Sequence, residues 1–392
     1  MSEPSTRHLI ARYAGRLDPQ VLTGHAVASP AGVWLLLALV APAAQGSTRQ
    51  ELEAVLGTDA EDAAARAGRL LADPHPAVAA AVAVWDRQLG PAFEEWARTL
   101  PTVVERGPVP SQAEADAWAR EHSLGMIEEF PVEIDELTRL LLASALATDI
   151  SWVEPLKTTD QLGGEFGERV GSALMFRDGI QLVAETEAAG PVALAAPPSS
   201  SALDVLSVIA APDVPPDRVH AAAHQVAAML AGDGAAARTV PVAELSDGHA
   251  WTVTERRERG TGRAEQEEWV TCLPAWSATS DHDLADAPGM SQTFETLNGF
   301  ARPEDQPVDL EARQAAVASY TRTGFKAAAV TVVAMRAAGM PDFHEVLVRR
   351  VELRFNRPYA VLARAALDEG PVAWRGLPVV GGWVSEPEDA AG

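Results

Sequence analysis

Gly324-Phe325-Lys326-Ala327-Ala328-Ala329-Val330-Thr331, followed by Val332, Val333, Ala334 and Met335, is the stretch on which the reading turns. Glycine tolerates backbone angles that other residues avoid, so Gly324 suits a pivot. Small side chains at alternate positions can slide between strands that are already close. Val and Thr then favour a pleated, extended surface. The stretch reads as a segment able to become a strand. An ordinary buried strand or helix in an alanine-rich chain would share this composition, so the rest of the chain decides.

The 392 residues suffice for one large domain or two to three smaller ones, and a hydrophobic content of 47% supports a substantial core. A net charge of −24 argues against nucleic acid and anionic membrane surfaces as partners. Cys272 is the only cysteine, which excludes an intrachain disulfide. The start, Met1-Ser2-Glu3-Pro4-Ser5-Thr6-Arg7-His8, lacks a basic segment followed by an apolar run. Leu35 to Val40 soon meets Pro42 and Gln45, too short a run to span a bilayer. A soluble, cytoplasmic protein is the expectation, with export by an unrecognised route left open.

Familiar catalytic and metal motifs are missing. His220 and His224 stand one helical turn apart, but no glutamate lies between them and no carboxylate cluster completes a site. Two exposed histidines on an alanine-rich helix are expected, with no metal and no cofactor. Cys272, in an apolar strand, reads as a small core residue. No Gly-x-Ser-x-Gly elbow, phosphate loop or dinucleotide fingerprint occurs. An enzyme is not indicated.

Along the chain, residues 9–16 form a short amphipathic piece. Ser29-Pro30 can open a helix in which Val33, Leu36, Leu37 and Val40 recur at helical spacing. Gln45 to Thr48 breaks it, and Ser47 with Gln50, or Thr48 with Glu51, can box the next helix. Val82–Asp86 reads as a strand, 93–100 and 113–127 as helices, and Leu141 to Leu146 as a buried strand. Residues 160–200 look irregular, with weak strand signals near Val183 and Val192. Ala202–Ala210 is a strand, Asp213–Leu230 a helix, and Thr254–Arg263 a solvated loop. Strand alternation returns at Val346, Val348, Val351, Leu353 and Phe355. No repeat, linker or domain boundary is visible, so one domain over 1–392 is expected.

These features, in this order, resemble the serpins. The Ser-Pro helix, the Gly-x-Thr break and the following Glu-Leu helix resemble that family's N-terminal signature. Trp118 with Ser123, Gly125 and Ile127, then Trp152 with Pro155, fall at its intervals. Leu273-Pro274-Ala275-Trp276 and Phe355-Asn356-Arg357-Pro358-Tyr359 resemble its later signatures, and Gly381 and Pro387 its last strand and tail. Gly324 to Thr331 resembles the hinge of its reactive-centre loop. The match is poorest between about 160 and 265. The chain is identified as a divergent, bacterial-type member.

The resemblance implies an α+β fold: a single domain of about eight or nine helices on three mostly antiparallel or mixed sheets. An exposed reactive-centre loop would run over about 324–345. It also implies a monomeric suicide substrate for a serine protease. Cleavage lets the hinge enter the large sheet as a new strand and carry the acyl-enzyme with it. The hinge would be Gly324, Phe325, Lys326, Ala327, Ala328, Ala329 and Thr331, and after insertion Phe325, Ala327, Ala329, Thr331, Val333, Met335 and Ala337 would face inward. Counting from the pivot places the reactive bond at Ala338–Gly339, which suits an elastase- or subtilisin-like target better than a trypsin-like one. The sheet would open around Trp152, Ser144, Gln314 and Gly32.

Several positions depart from the family pattern. Phe325 stands for a small hydroxyl residue, Arg322 for an acidic one, and Gly32, Ser144 and Gln314 for Ser, Asn and His. Gln314 could hydrogen-bond Ser144. A second reading is therefore a serpin-fold binding or scaffold protein that no longer inhibits.

Overall fold

In a computed structural model of the chain, the described residues are 4–87, 89–136, 138–148, 150–234, 236–260, 265–300, 311–325 and 344–390. They cluster into two compact units, each assembled from three chain segments. The first is Met1–Asp149, Ala278–Val317 and Arg364–Gly381; the second is Ile150–Ser277, Ala318–Ala363 and Gly382–Gly392.

The first unit begins with α1 (Thr6–Val21), β1 (Ala26–Ala28) and α2 (Pro30–Val40). Ser29 caps α2 as its sequence suggests. Its hydroxyl accepts from the Gly32 amide, and Pro30 sits where no amide donor is needed. Every α2 residue except Leu36 is buried, and the Trp34 side chain is fully enclosed. The next helix, α3 (Gly46–Leu56), starts earlier than the expected capping boxes require. Gln45 is its N-cap, so Ser47 and Thr48 fall inside the first turn. After α4 (Ala60–Ala72) come β2 (Val78–Asp86), α5 (Pro91–Thr99), β3 (Glu105–Pro108), α6 (Gln112–His122) and β4 (Leu140–Thr148). The strands form a sheet in the order β3-β2-β4. Trp118 of α6 meets Trp85 of β2 edge-on at 5.2 Å, so it is a packing tryptophan.

The second unit holds β5 (Ile150–Ser151), β6 (Lys157–Thr159), α7 (Gly164–Gly167), β7 (Ala173–Phe176), β8 (Ile180–Thr186), β9 (Gly190–Ala196) and β10 (Leu203–Ile209). Three of these strands lie in the stretch expected to be irregular. Their alanines have little strand propensity, yet β8 and β9 pair over seven residues and bury Ala193 to Ala195 completely. Then follow α8 (Pro216–Leu230), β11 (Ala237–Thr239), β12 (Trp251–Gly260) and β13 (Glu265–Leu273). The expected loop at 254–263 is, through residue 260, the strand β12. Its charged side chains are solvated, but each of its ten residues has a partner in β17 (His344–Arg354). Within α8, His220 is buried against Trp383 at 5.4 Å and is not the exposed residue expected.

The remaining elements are β14 (Trp276–Asp283), α9 (Met290–Asn298), β15 (Arg313–Tyr320), β16 (Gly324–Phe325), β17 (His344–Arg354), β18 (Tyr359–Ala365) and β19 (Pro378–Val384). In the second unit β18-β10-β9-β8-β11 are successive neighbours in one sheet, and β12-β17-β13-β7-β6 form another. Nine α-helices occur among the described residues, within the expected range. The sheets number five among those residues, where three were expected. The reason is local: β4 pairs with β2 and β15 with β14, and the two do not pair with each other.

Candidate functional site

The stretch read as a hinge opens, among the described residues, as a short strand. Gly324 and Phe325 pair antiparallel with Ser151 and Ile150, as β16 against β5. A tight reversal makes this possible. The Thr321 amide donates to the Gly324 carbonyl at 2.8 Å, and the Thr321 hydroxyl donates to the same oxygen at 2.9 Å. The reversal is then fastened from outside. The Trp152 amide donates to the Thr323 carbonyl at 3.1 Å, and the Leu156 amide to the Arg322 carbonyl at 2.7 Å. Arg322 holds the turn through its main chain, which any residue supplies.

Phe325 is 2% exposed. Its ring meets Trp276 edge-on at 5.8 Å and Tyr320 at 6.4 Å. Trp152 lies 5.0 Å from Tyr320, and its indole N–H donates to the Thr321 carbonyl at 3.0 Å. Burying a Phe contributes about 1.5–3 kcal/mol, and each edge-on aromatic pair adds about 0.5–1.5 kcal/mol. The loop expected to be exposed from residue 324 therefore has its first two residues buried. Both residues of β16, Gly324 and Phe325, are buried. Lys326, Ala327, Ala328, Ala329, Thr331 and the bond Ala338–Gly339 lie outside the described residues.

Behind Trp152 a run of hydroxyls steadies the strand to which the hinge pairs. Trp152 bridges to Ser199, the Ser200 amide donates to the Ser151 carbonyl at 2.9 Å, and the Ser151 amide donates to Ser201 Oγ at 3.1 Å. Sequence reasoning missed Ser199–Ser201 and the aromatic partners Tyr320 and Trp276. Pro197-Pro198 ahead of three serines signals a loop, but nothing local says what the loop grips.

In the first unit a groove of about 920 Å³ is lined by residues 140–145 of β4, residues 313–315 of β15, and apolar side chains including Leu36, Leu37, Val40, Trp118 and Phe130. Two strands thus line one groove without pairing across it. Ser144 and Gln314 both line it, but they are not joined as expected. Gln314 instead spans Ser29: its carbonyl accepts from the Ser29 amide at 2.9 Å, and its amide donates to the Ser29 carbonyl at 3.0 Å. The Ser29 hydroxyl donates to the Val379 carbonyl at 2.8 Å. A Cβ at Gly32 would stand 3.3 Å from Ser144 Oγ, so glycine there leaves Ser144 its space.

Other chemistry stays sparse. Among the described residues no group of three or more His, Cys, Asp or Glu side chains is placed to hold a metal ion. Cys272 is buried, and burial pushes its thiol up to about 11. No described helix is long and apolar enough to cross a membrane.

Comparison with known proteins agrees with this geometry. A family model described as serpin, serine protease inhibitor, matches residues 7–172. The matched part, under half of this chain, is similar to the serpins. A curated serpin relative, serpin-Z5 of Oryza sativa subsp. japonica, is 29% identical over 195 residues, which is 44% of this chain and 43% of that protein. The aligned part is therefore under half of that relative's length. Among solved structures, the thermophilic serpin tengpin in its native state superposes with a TM-score of 0.66 at 15% identity, covering 98% of this chain and 96% of that one. Thyroxine-binding globulin in complex with thyroxine gives 0.63 at 13% identity, covering 97% and 99%. A highly specific serpin of the insect Tenebrio molitor gives 0.59 at 14% identity, covering 97% and 96%. At these identities the likeness concerns the serpin fold alone.

Proposed function

We propose that this serpin-fold protein inhibits a serine endopeptidase as a suicide substrate, acting as one domain and as a monomer. The supporting observation is β16: before any cleavage, the first two hinge residues already run as a strand against β5, with Phe325 facing inward. In this mechanism cleavage lets the residues after Phe325 continue that strand into the large sheet. Its inward side chains after Phe325 are Ala327, Ala329, Thr331, Val333, Met335 and Ala337. None is bulkier than Phe325, which is already buried in the intact protein. Overpacking of about 1–3 kcal/mol, the obstacle Phe325 would pose in a tight gap, does not arise where it sits against Trp276 and Tyr320.

The protease attacks at Ala338–Gly339, and a small residue there fits an elastase- or subtilisin-like specificity pocket. The inhibitor meets its target in the cytoplasm, or outside the cell after export. The test is incubation with elastase-, subtilisin- and trypsin-like proteases, read by denaturing gel and by the mass of the released C-terminal peptide. A complex that survives denaturation, with a cut at Ala338, is expected. Clean cleavage in the loop without a complex, with melting unchanged, overturns the proposal.

A second reading has one observation of its own. The seating of Phe325 stabilises the intact form, as suits a serpin-fold protein that binds without being cleaved. Thyroxine-binding globulin shows that a structural relative of this chain carries a small ligand.

A further inference from the structure

The groove of the first unit has an apolar floor that is left partly open. Leu36, the one residue of α2 that is not buried, lines it. So do the half-buried Leu142 of β4, Phe294 of α9, Ile127 and Val132. Its volume of about 920 Å³ falls in the range of small-molecule sites, about 300–1,000 Å³. Apolar side chains left half-open inside a cleft of that size mark a place where something docks.

The rim carries the opposite chemistry. Glu133, Asp135, Glu136, Asp283 and Glu311 line the groove, against Arg139 and Arg313 among the described residues. Arg313 is already engaged, by Glu311 and by Asp281. Asp135 accepts from the Thr138 amide and hydroxyl. Glu133 and Glu136 are exposed and form no ion pair among the described residues. They sit on an irregular segment, 131–136, that is nevertheless fixed in place. Gln112 Oε1 of α6 accepts from the Ile134 amide at 2.9 Å, and Asp116 Oδ1 from the Phe130 amide at 2.9 Å. The Arg87 guanidinium donates to the Glu136 carbonyl at 2.6 Å. The segment bearing the two carboxylates is thus pinned at the mouth before anything binds, which lowers the ordering cost of binding.

We propose that this groove binds a small cationic amphiphile, an apolar chain or ring system that ends in an ammonium group. The apolar body covers Leu36, Leu142 and Phe294 and removes them from water. The ammonium meets Glu133 and Glu136. A carboxylate on the same body would face an excess of acid, and an uncharged head would gain the apolar contact alone. Because the rim carboxylates are solvated, they select the ligand's charge more than they add affinity, and salt weakens that selection. The site needs neither cleavage nor the loop, so it stands apart from the inhibitory reading.

Calorimetric titration of the intact protein with octylammonium, octanol and octanoate, one chain length with three head groups, tests this. Octylammonium is expected to bind about tenfold or more tighter than octanoate, with octanol between them, and the gap should narrow as salt is raised. Glu133→Gln with Glu136→Gln should bring octylammonium down to the level of octanol and leave octanol unchanged. Asp368→Asn with Glu369→Gln removes the same charge from another exposed stretch and should leave all three unchanged. The proposal is overturned if octylammonium does not bind, if the three bind alike or in the reverse order, or if the control pair weakens octylammonium as much as the groove pair does. No protease enters the experiment, so its failure leaves the suicide-substrate reading standing, and failure of that reading leaves the groove untouched.

Discussion

Phe325 determines how the hinge rests. A threonine there removes the ring from Trp276 and Tyr320 and forfeits about 1.5–3 kcal/mol of apolar burial. Phe325→Thr should leave the fold intact, lower the melting temperature of the uncleaved protein, and raise the rate of proteolytic nicking near the hinge by about tenfold or more. His249 offers a separate reading by pH. Burial first, and Arg357 second, hold its imidazole down to about 4. The unfolded chain binds a proton near the ordinary value of about 6.5. Between those values the unfolded state carries more protons, so stability present above about pH 6.5 is lost as pH falls toward 4. The side chain is only partly buried, so solvent screening leaves on the order of 1 kcal/mol. Denaturation of His249→Gln between pH 4 and 7 should show a correspondingly flatter dependence. Cys272 should resist alkylation at neutral pH until the protein unfolds, because its thiol is buried and its ionisation pushed up to about 11.

At the level of elements, α2 depends on Ser29. Its hydroxyl caps the helix and donates to Val379, and its backbone is clasped by Gln314. Ser29→Ala should cost about 1–2 kcal/mol from the lost cap. Gln314→Leu should cost more, about 2–4 kcal/mol, because it leaves a buried amide and a buried carbonyl of Ser29 without their partner. Chemical denaturation of both variants checks the order. The cap itself was legible from Ser29-Pro30 because capping chemistry is local. The clasp was not, since residues 29 and 314 meet only through tertiary structure. The sequence pointed to Ser144 as Gln314's partner, and the fold chose a backbone edge instead. β12 was misread for a related reason: Glu255-Arg256-Arg257-Glu258-Arg259 has the charge of a loop, and its strand character comes from β17, nearly ninety residues away. The alanine-rich strands β8 and β9 likewise owe their form to pairing.

At the level of the molecule, the serpin fold was legible because the signatures are short, ordered and spread from Ser29 to Pro387. The positions Trp152 and Phe325 followed from those signatures. Their aromatic neighbours did not, since Trp276 and Tyr320 meet the hinge only once the sheets form. The separation of β4 from β15 was also invisible, because each strand reads as an ordinary buried strand by itself. That separation and the early strand at Gly324–Phe325 support the proposed mechanism, in which the cleaved loop supplies a new strand. Calorimetric melting of the protein before and after a single cut near Ala338 tests this most directly. The account predicts a large rise in melting temperature on cleavage, with the N-terminal part of the loop becoming protected from further proteolysis. An unchanged or lower melting temperature, with residues 326–337 still open to proteases, would contradict it.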